Sequence, residues 1–278
     1  MADISEIAEN FSLAGGKLFN RTRRFWRQVT SPLRSLPDIV IVGAQKGGTT
    51  SLYRYLCQHP NISGALTKEV HYFDNNYDRH PLWYRSNFEV SGEEVALEAT
   101  PKYLFHEVTL WRMSVLLPDI TVIALLREPV SRAYSHYRHV RRGMGKWGTD
   151  HRSFPEAVRS DIQAVNEKGV LGGNSYKDIY HSYVRRGIYA PQVRRFKRVY
   201  GDQMLVVKSG DFFKNTRKVL GDIFDKIGVA QVDVDVGEVH KGGQYEDEIP
   251  IREELESFFK PHNQELYKLI GVEKWWDY

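Results

Sequence analysis

The stretch IVIVGAQKGGTTSLYRYLCQHP, residues 39–60, joins an apolar run to a helical pattern through a glycine-rich turn. The apolar run at 38–44 is typical of a strand that is buried on both faces, and helical spacing begins at about residue 49. A glycine-rich turn between a buried strand and a helix N-terminus is well suited to bind a phosphate group. The stretch therefore predicts an α/β fold with a phosphate-binding loop.

The loop differs from the nucleotide P-loop in the position of its lysine, which in the motif GxxxxGK[ST] follows the second glycine. Here Gly43 and Gly48 keep the spacing, but Thr49 stands where that lysine would be. The lysine lies inside the loop instead, at Lys46. We expect the backbone amides of residues 47–51 to point at one anion. The phosphate-binding residues are predicted to be Lys46, Gly47, Gly48, Thr49, Thr50 and Ser51.

An alternation of strand and helix patterns continues along the chain. Further apolar runs that predict strands lie at 95–100, 120–128 and 204–212, and helical patterns lie at about 107–117, 129–142, 190–200, 213–227 and 250–270. Such alternation is typical of an open parallel sheet with helices on both faces. We therefore predict a single α/β domain over residues 37–278, with a central parallel sheet flanked by helices. Residues 143–180 are interpreted as an insertion or substrate lid, with one helix near FPEAVRSDI.

The composition is that of a globular protein, with 41% hydrophobic residues and a net charge of +4. This charge suits an anionic ligand, but charges of both signs are mixed along the chain, so nucleic-acid binding is not expected. The single cysteine, Cys57, excludes an internal disulfide and is interpreted as core packing. Because no apolar run reaches the ~18 residues of a membrane helix and no signal peptide is evident, the expected location is the cytoplasm.

Residues 1–36 are predicted to form a basic N-terminal arm. Within it, LFNRTRRFWRQV at 18–29 mixes arginines with aromatic and aliphatic side chains, and SPLRSLPD at 31–38 then breaks the pattern with two prolines. Two interpretations of this arm are open. We favour an arm packed on the domain's own surface, and the alternative is peripheral contact with a membrane or a partner.

A second anion site is predicted at the end of the strand that precedes LLREPVSRAYSHYRH, residues 125–139. Arg127 ends the strand, and Ser135 lies two helical turns further on, where it can face back toward the strand end. A guanidinium and a hydroxyl together can bind an anion. Two anion sites at neighbouring strand ends suit a nucleotide with phosphates at both its 5′ and 3′ positions.

Four motifs in order resemble the PAPS-dependent sulfotransferases, most of all the heparan sulfate type and bacterial carbohydrate sulfotransferases. They are GAQKGGTTSL (43–52), TKEVHYFD (67–74), LREPVSRAYSHY (126–137) and HKGGQYEDEIP (240–250), and the similarity extends over about residues 38–275. The resemblance implies the sulfotransferase fold, PAPS as donor, PAP as product and no metal. It also assigns Arg127 and Ser135 to the 3′-phosphate. The late loop that clamps the nucleotide corresponds to Lys241, Gly242 and Gly243.

The resemblance also implies catalytic roles. Glu69 matches the family's general base, Lys46 would stabilise the transferred and leaving groups, and His71 would orient the base or the acceptor. On the assumption that the segment is extended, His71 and Glu69 should share one face. The chain departs from the family's EKTPAY at EATPKY, residues 98–103, because Ala99 replaces the lysine. Residues predicted to contact the acceptor are Asp74, Lys102 and Tyr103.

Other functions remain open at this stage. The acceptor hydroxyl is expected on a glycan or glycoconjugate, with a small-molecule or lipid alcohol as the alternative. A P-loop kinase or nucleotide-binding protein is the more distant alternative, and the position of Lys46 and the pair Arg127 and Ser135 argue against it. A non-catalytic binder that uses the basic arm is a further alternative. It would need a continuous basic patch, but charges of both signs are mixed along the chain. The sequence does not indicate an oligomeric state.

Overall fold

The computed structural model describes residues 22, 24–89, 92, 94–143, 149–170, 180–237 and 249–278. Within these residues a five-stranded sheet has the order β2-β3-β1-β4-β5, and every strand pair in it is parallel. The strands are β1 (Ile39–Gly43), β2 (Ile62–Gly64), β3 (Val95–Ala99), β4 (Thr121–Leu126) and β5 (Met204–Lys208). The predicted parallel sheet is confirmed.

Helices cover both faces of the sheet, as predicted. They are α1 (Thr49–Leu56), α2 (Tyr72–Asn75), α3 (Pro81–Arg85), α4 (Glu107–Leu116), α5 (Pro129–Arg141), α6 (Phe154–Lys168), α7 (Tyr189–Tyr200), α8 (Ser209–Lys214), α9 (Thr216–Ile227) and α10 (Arg252–Ile270). Three short 3₁₀ helices lie at Ser31–Leu33, Arg185–Gly187 and Gly201–Gln203. Residues 24–29 are also helical.

The core has a layer on each face of the sheet because successive residues of a strand point to opposite sides. In β1, Val40 and Val42 pack with side chains of α4, α7 and α10. Ile39 and Ile41 pack on the other side with side chains of α1 and α9. All five residues of β1 are buried, as the continuous apolar run predicted. This two-sided burial fixes β1 at the centre of the domain.

The strand order positions the site. The chain places β2 and β3 on one side of β1, and β4 and β5 on the other side. In such sheets ligands bind outside the carboxyl ends of the strands, at the point where the order reverses. Here that point lies between β1, which is followed by the phosphate loop, and β4, which is followed by Arg127.

Some elements differ from the sequence prediction. The apolar run at 204–212 is a strand only as far as Lys208, and Ser209 begins helix α8. The short elements β2, α2 and α3 lack the length that a clear periodicity needs, and they were not predicted. The helix predicted near FPEAVRSDI is observed as α6. It begins with a capping box, in which Ser153 Oγ accepts from Glu156 N and the Glu156 carboxylate accepts from Ser153 N.

The described part of residues 143–180 packs against the domain. Phe154, Ala157 and Val158 of α6 join a buried cluster with Val130 and Ala133 of α5. Whether this segment covers the site as a lid stays a prediction. Among the described residues, no helix combines the length and the apolar character that crossing a bilayer requires.

Candidate functional site

The phosphate loop after β1 is held by its own backbone hydrogen bonds. Gly47 N donates to Ala44 O at 2.8 Å, and Ser51 N donates to Gly48 O at 3.0 Å. A Cβ on Gly47 would lie 2.4 Å from Leu125 O, so a side chain there would displace the loop from β4. Gly48 has a φ of 101°, which favours glycine. The close wrapping predicted for these two glycines is therefore observed.

The amides available to an anion are fewer than predicted. Gly47 and Ser51 use theirs inside the loop, which corrects the expectation that all amides of residues 47–51 point at one anion. The first amides of an α-helix have no carbonyl one turn back, and in α1 these include Thr49 and Thr50. The Thr49 side chain is buried, whereas Thr50 is exposed.

A pocket of about 270 Å³ lies between this loop and the ends of β4 and β5. It combines three cationic side chains with hydroxyl groups and two aromatic rings. Its lining is Lys46, Gly47, Gly48, Arg127, Glu128, Ser131, Lys208, Ser209, Gly210, Phe213 and Trp276. Ser209 Oγ donates to Gly47 O at 2.7 Å and so ties α8 to the loop. The structure thus brings Lys46 and Arg127, which the sequence predicted at two separate anion sites, together at one pocket.

Lys46 has a left-handed backbone conformation, with a φ of 69°. Such strain in a residue other than glycine often accompanies a functional position. Burial, and then the positive charges of Arg127 and Arg142, lower the pKa of Lys46. Arg127 Nη1 also donates to Lys46 O at 3.4 Å. Cations held this close to one another favour an anionic ligand between them.

The other predicted cofactor residues are not all in this pocket. Ser135 is buried in α5 and is not among the side chains that line the pocket, so its role at a 3′-phosphate stays a prediction. Lys241, Gly242 and Gly243 lie outside the described residues.

The predicted catalytic segment lies beside the end of β3. Glu69 N donates to Ala99 O at 3.0 Å, and His71 N donates to Thr100 Oγ1 at 3.4 Å. Glu69 and His71 have φ values of 63° and 55°, so both are left-handed. The expectation that they share the face of an extended segment is wrong in its geometry. Two left-handed residues, rather than strand alternation, bring the side chains together.

His71 connects two carboxylates. Its Nδ1 lies 2.9 Å from Asp74 Oδ2, and its Nε2 lies 3.5 Å from Glu69 Oε2. Burial acts to lower the pKa of His71, but the interactions with the Asp74 and Glu69 carboxylates outweigh it and raise the pKa to about 9. The interaction with His71 lowers the pKa of Glu69 to about 2, against the effect of burial. At neutral pH, His71 is therefore a cation between two anions.

The three predicted acceptor contacts have other partners. The Asp74 side chain is 2% exposed and bonds His71, so it holds the imidazole and is not available to an acceptor. Lys102 Nζ lies 3.5 Å from Asp74 Oδ2, which joins this lysine to the same cluster. Tyr103 is fully buried, and its hydroxyl donates to Glu98 Oε1 at 2.9 Å. Tyr103 therefore has a packing role, which corrects its assignment to the acceptor.

Glu69, His71, Asp74 and Lys102, here called the acid–base cluster, lie at the end of β3, which is the neighbour of β1 in the sheet. The negative charge of Glu69 acts to raise the pKa of Lys46, against the larger lowering by burial. His139, near the end of α5, responds to both groups: burial and then Lys46 lower its pKa, and Glu69 acts to raise it. The Glu69 side chain is 44% exposed. A cation that can bind an anion and a carboxylate that can take a proton thus lie at the carboxyl ends of two neighbouring parallel strands, β1 and β3.

Comparison with known proteins gives the family. The sequence model of the sulfotransferase domain matches residues 36–240. A crystal structure of a sulfotransferase from Alicyclobacillus acidocaldarius has 31% sequence identity and a TM-score of 0.71, and the match covers 86% of this chain and 98% of that one. The chain belongs to the sulfotransferase family. This confirms the family and the fold that the motifs predicted.

Two curated relatives of this sulfotransferase are enzymes from Homo sapiens. Heparan sulfate glucosamine 3-O-sulfotransferase 3B1 is 25% identical over 274 residues, which cover 88% of this chain and 66% of the relative. Heparan sulfate glucosamine 3-O-sulfotransferase 5 is 26% identical over 262 residues, covering 86% of this chain and 73% of the relative. The chain thus spans 66% of the length of the first of these relatives.

Several groups at the sulfotransferase site were not found from the sequence. Lys208 ends β5 beside the phosphate loop. Its position at the end of a predicted strand is the sequence feature that could have identified it. Trp276 gave no such signal, because it reaches the pocket from the segment after α10. Glu98 is fully buried and accepts hydrogen bonds from Tyr84, Thr100 and Tyr103. Burial raises the pKa of Glu98, and its hydroxyl partners fix the end of β3 behind the acid–base cluster.

No group of three or more His, Cys, Asp or Glu side chains in the described ranges is arranged to hold a metal ion.

Proposed function

We propose that this protein transfers a sulfuryl group from PAPS to a hydroxyl of a carbohydrate or glycoconjugate. The observation that carries the proposal is a pocket lined by Lys46 and Arg127 at the ends of β1 and β4, with Glu69 held at the end of the neighbouring strand β3. In the reaction, the bond between sulfur and the phosphate oxygen breaks and a bond between sulfur and the acceptor oxygen forms. The acceptor proton moves to a base, and PAP leaves.

The residues of the anion pocket fit the phosphate end of PAPS. Lys46, Arg127 and Lys208 supply positive charge, and the bare backbone at Gly47 and Gly48 allows close approach. The bound nucleotide would supply the sulfuryl group, joined to its 5′-phosphate. We further propose that Arg127 and Ser135 bind the 3′-phosphate of the same nucleotide and that the loop at 241–243 clamps it, as the motif resemblance implies. No metal is part of this proposal, because the cationic side chains supply the charge.

Lys46 is assigned to the stabilisation of negative charge. During transfer, charge accumulates on the phosphate oxygen that loses its bond to sulfur. A preorganised donor at such an oxygen contributes about 3–4 kcal/mol to the barrier reduction in comparable sites. Lys46 is half-buried, and this burial, which lowers the pKa of Lys46, leaves its charge less screened by water.

Glu69 is assigned as the general base. It is ionised at neutral pH because its pKa is about 2. Glu69 Oε1 lies 2.8 Å from Lys68 Nζ, and Glu69 Oε2 faces His71. A carboxylate oxygen can still accept a further hydrogen bond, so one acceptor hydroxyl can bind there. His71 is not suited to this role, because both ring nitrogens face carboxylates and the ring is protonated.

The carbohydrate acceptor is supported by the relatives, whose names describe sulfation of a heparan sulfate glucosamine. Because the chain spans 66% of the first relative, the acceptor is proposed as a class and not as heparan sulfate itself. A small-molecule or lipid alcohol is the alternative acceptor.

A transfer assay tests the proposal. The full chain is incubated with labelled PAPS and a panel of polysaccharides, glycolipids and simple alcohols, without added metal. We expect label on a sugar hydroxyl. Label only on simple alcohols would replace the carbohydrate assignment. Absence of PAP binding in calorimetry, together with binding of ATP and Mg²⁺, would contradict the donor assignment.

A further inference from the structure

The helix at residues 24–29 and the turn after it present large apolar side chains to solvent. Phe25 and Trp26 are each 60% exposed, and Val29 and Leu33 are 55% and 65% exposed. The spacing of Phe25, Trp26 and Val29 puts them on one side of the helix. A surface helix normally turns such side chains toward its own domain, and this helix does the opposite.

Two buried arginines hold the helix in this orientation. Arg27 Nε donates to Ser86 O at 2.8 Å, and Arg27 Nη1 donates to Glu89 Oε1 at 2.8 Å. Arg34 Nη1 donates to Phe88 O at 2.8 Å. Because each guanidinium reaches backbone carbonyls of the segment after α3, the basic side chains attach the helix to the domain. The apolar side chains are left on the outer surface, so the arm is anchored but not covered by the described residues.

The segment that carries this surface has a positively charged sequence. Arg24 is exposed on the same helix, Arg21 and Arg23 precede it in the sequence, and residues 18–36 contain no acidic residue. Exposed Trp and Phe beside arginines are typical of helices that lie at the level of lipid headgroups. We propose that the outer face formed by Phe25, Trp26, Val29 and Leu33 docks the protein on an anionic lipid surface. Arg24 then contacts the lipid phosphates.

A second exposed apolar row lacks this charge and serves as the control. Val108, Trp111 and Val115 of α4 are 44%, 64% and 66% exposed. Arg112, on the same helix, donates to Phe73 O at 2.8 Å and lies over the ring of Tyr77. It is therefore turned toward the domain. The α4 row matches the arm in its exposed tryptophan and valine but presents no arginine with them.

Vesicle sedimentation of the full chain tests the docking proposal independently of activity. The probes are vesicles of phosphatidylcholine alone and of phosphatidylcholine mixed with phosphatidylglycerol. We expect binding to the mixed vesicles, weakened by salt. The arm variant W26S/V29S/L33S should bind about tenfold or more weakly, and Arg24→Glu should also reduce binding. The α4 control W111S/V115S should bind like the unchanged protein.

Several results would overturn the docking proposal. Equal binding by the arm variant and the unchanged protein would show that the face does not enter the lipid. Equal binding to both kinds of vesicle would show that the arginines do not contribute. No binding to either kind would refute docking on lipid. A dimer of the unchanged protein that the arm variant turns into a monomer would show that a second copy covers the face. Since the substituted side chains are exposed, the melting temperatures of the variants should stay unchanged. Arg24→Glu and the salt series test the role of charge independently of the apolar substitutions.

Discussion

The imidazole of His71 bridges two carboxylates, with Nδ1 2.9 Å from Asp74 Oδ2 and Nε2 3.5 Å from Glu69 Oε2. This arrangement divides the roles within the acid–base cluster. Both ring nitrogens are directed at carboxylates, so we propose that His71 acts as a positioning cation, with Asp74 fixing the ring behind it. Glu69 is left as the group that can face an acceptor hydroxyl.

The pH dependence of kcat/KM should distinguish the two possible bases. The pKa of Glu69 is lowered to about 2 and that of His71 is raised to about 9. With Glu69 as base and His71 needed as a cation, kcat/KM should be flat from about pH 5 to 8 and should fall as the pH rises through about 9. With neutral His71 as base, kcat/KM would instead rise about tenfold per pH unit below pH 9.

Substitution of Gly47 tests the geometry of the phosphate loop. A Cβ at this position would lie 2.4 Å from Leu125 O, so Gly47→Ala must displace the loop from β4. We expect PAP affinity to fall about tenfold or more. Gly210→Ala is the matched control, because Gly210 lines the same pocket and its Cβ would meet only Lys208 Cε, at 3.8 Å. Equal affinities of the two variants in calorimetry would contradict the proposed site.

Arg127 should carry much of the affinity for the nucleotide. Loss of a charged hydrogen bond to a phosphate costs about 1.5–3 kcal/mol, so Arg127→Ala should weaken PAP binding about 10- to 100-fold. Arg54→Ala removes the same charge from an exposed position on α1 and should leave binding nearly unchanged. If calorimetry gave the same affinity for both variants, Arg127 would not contact the nucleotide.

The segment after α10 should stabilise the wall of the anion pocket. Tyr278 Oη donates to Glu128 Oε1 at 2.5 Å, and the Glu128 carboxylate accepts from Val130 N and Ser131 N at the start of α5. We expect Tyr278→Phe to lower the free energy of unfolding by about 1–2 kcal/mol, measured by urea denaturation. Asp277→Asn changes an exposed neighbour and should have little effect. An unchanged denaturation midpoint for Tyr278→Phe would show that this contact contributes nothing.

The sequence was sufficient for those parts of the site that depend on local pattern. The apolar run at 38–44 and the glycines after it predicted β1 and the phosphate loop, because both are properties of one short segment. The position of Arg127 beside the loop followed from a general rule, since parallel strands end at the same edge of a sheet. The grouping of Glu69 and His71 was also anticipated, but from the resemblance to a family motif.

Other parts of the site depend on contacts between distant segments. Trp276 lines the pocket with Lys46, and no local pattern connects these two positions. Glu69 and His71 are left-handed, which a sequence without glycine at these positions does not indicate. The burial of Tyr103 against Glu98 and Phe73 likewise depends on how α2 packs beside the end of β3. The assignment of Tyr103 to the acceptor was wrong for this reason.

If Glu69 takes the proton and Lys46 stabilises the leaving group, paired kinetics and PAP calorimetry of variants at the two positions should separate the two roles. Glu69→Gln should lower kcat by about 10²–10⁴ with PAP affinity nearly unchanged, because it keeps the shape of the side chain and removes the proton acceptor. Lys46→Ala should lower kcat and also weaken PAP binding, and His71→Ala should have an intermediate effect on kcat. Near-normal turnover of Glu69→Gln, with activity abolished in His71→Ala, would contradict the account and make the histidine the base.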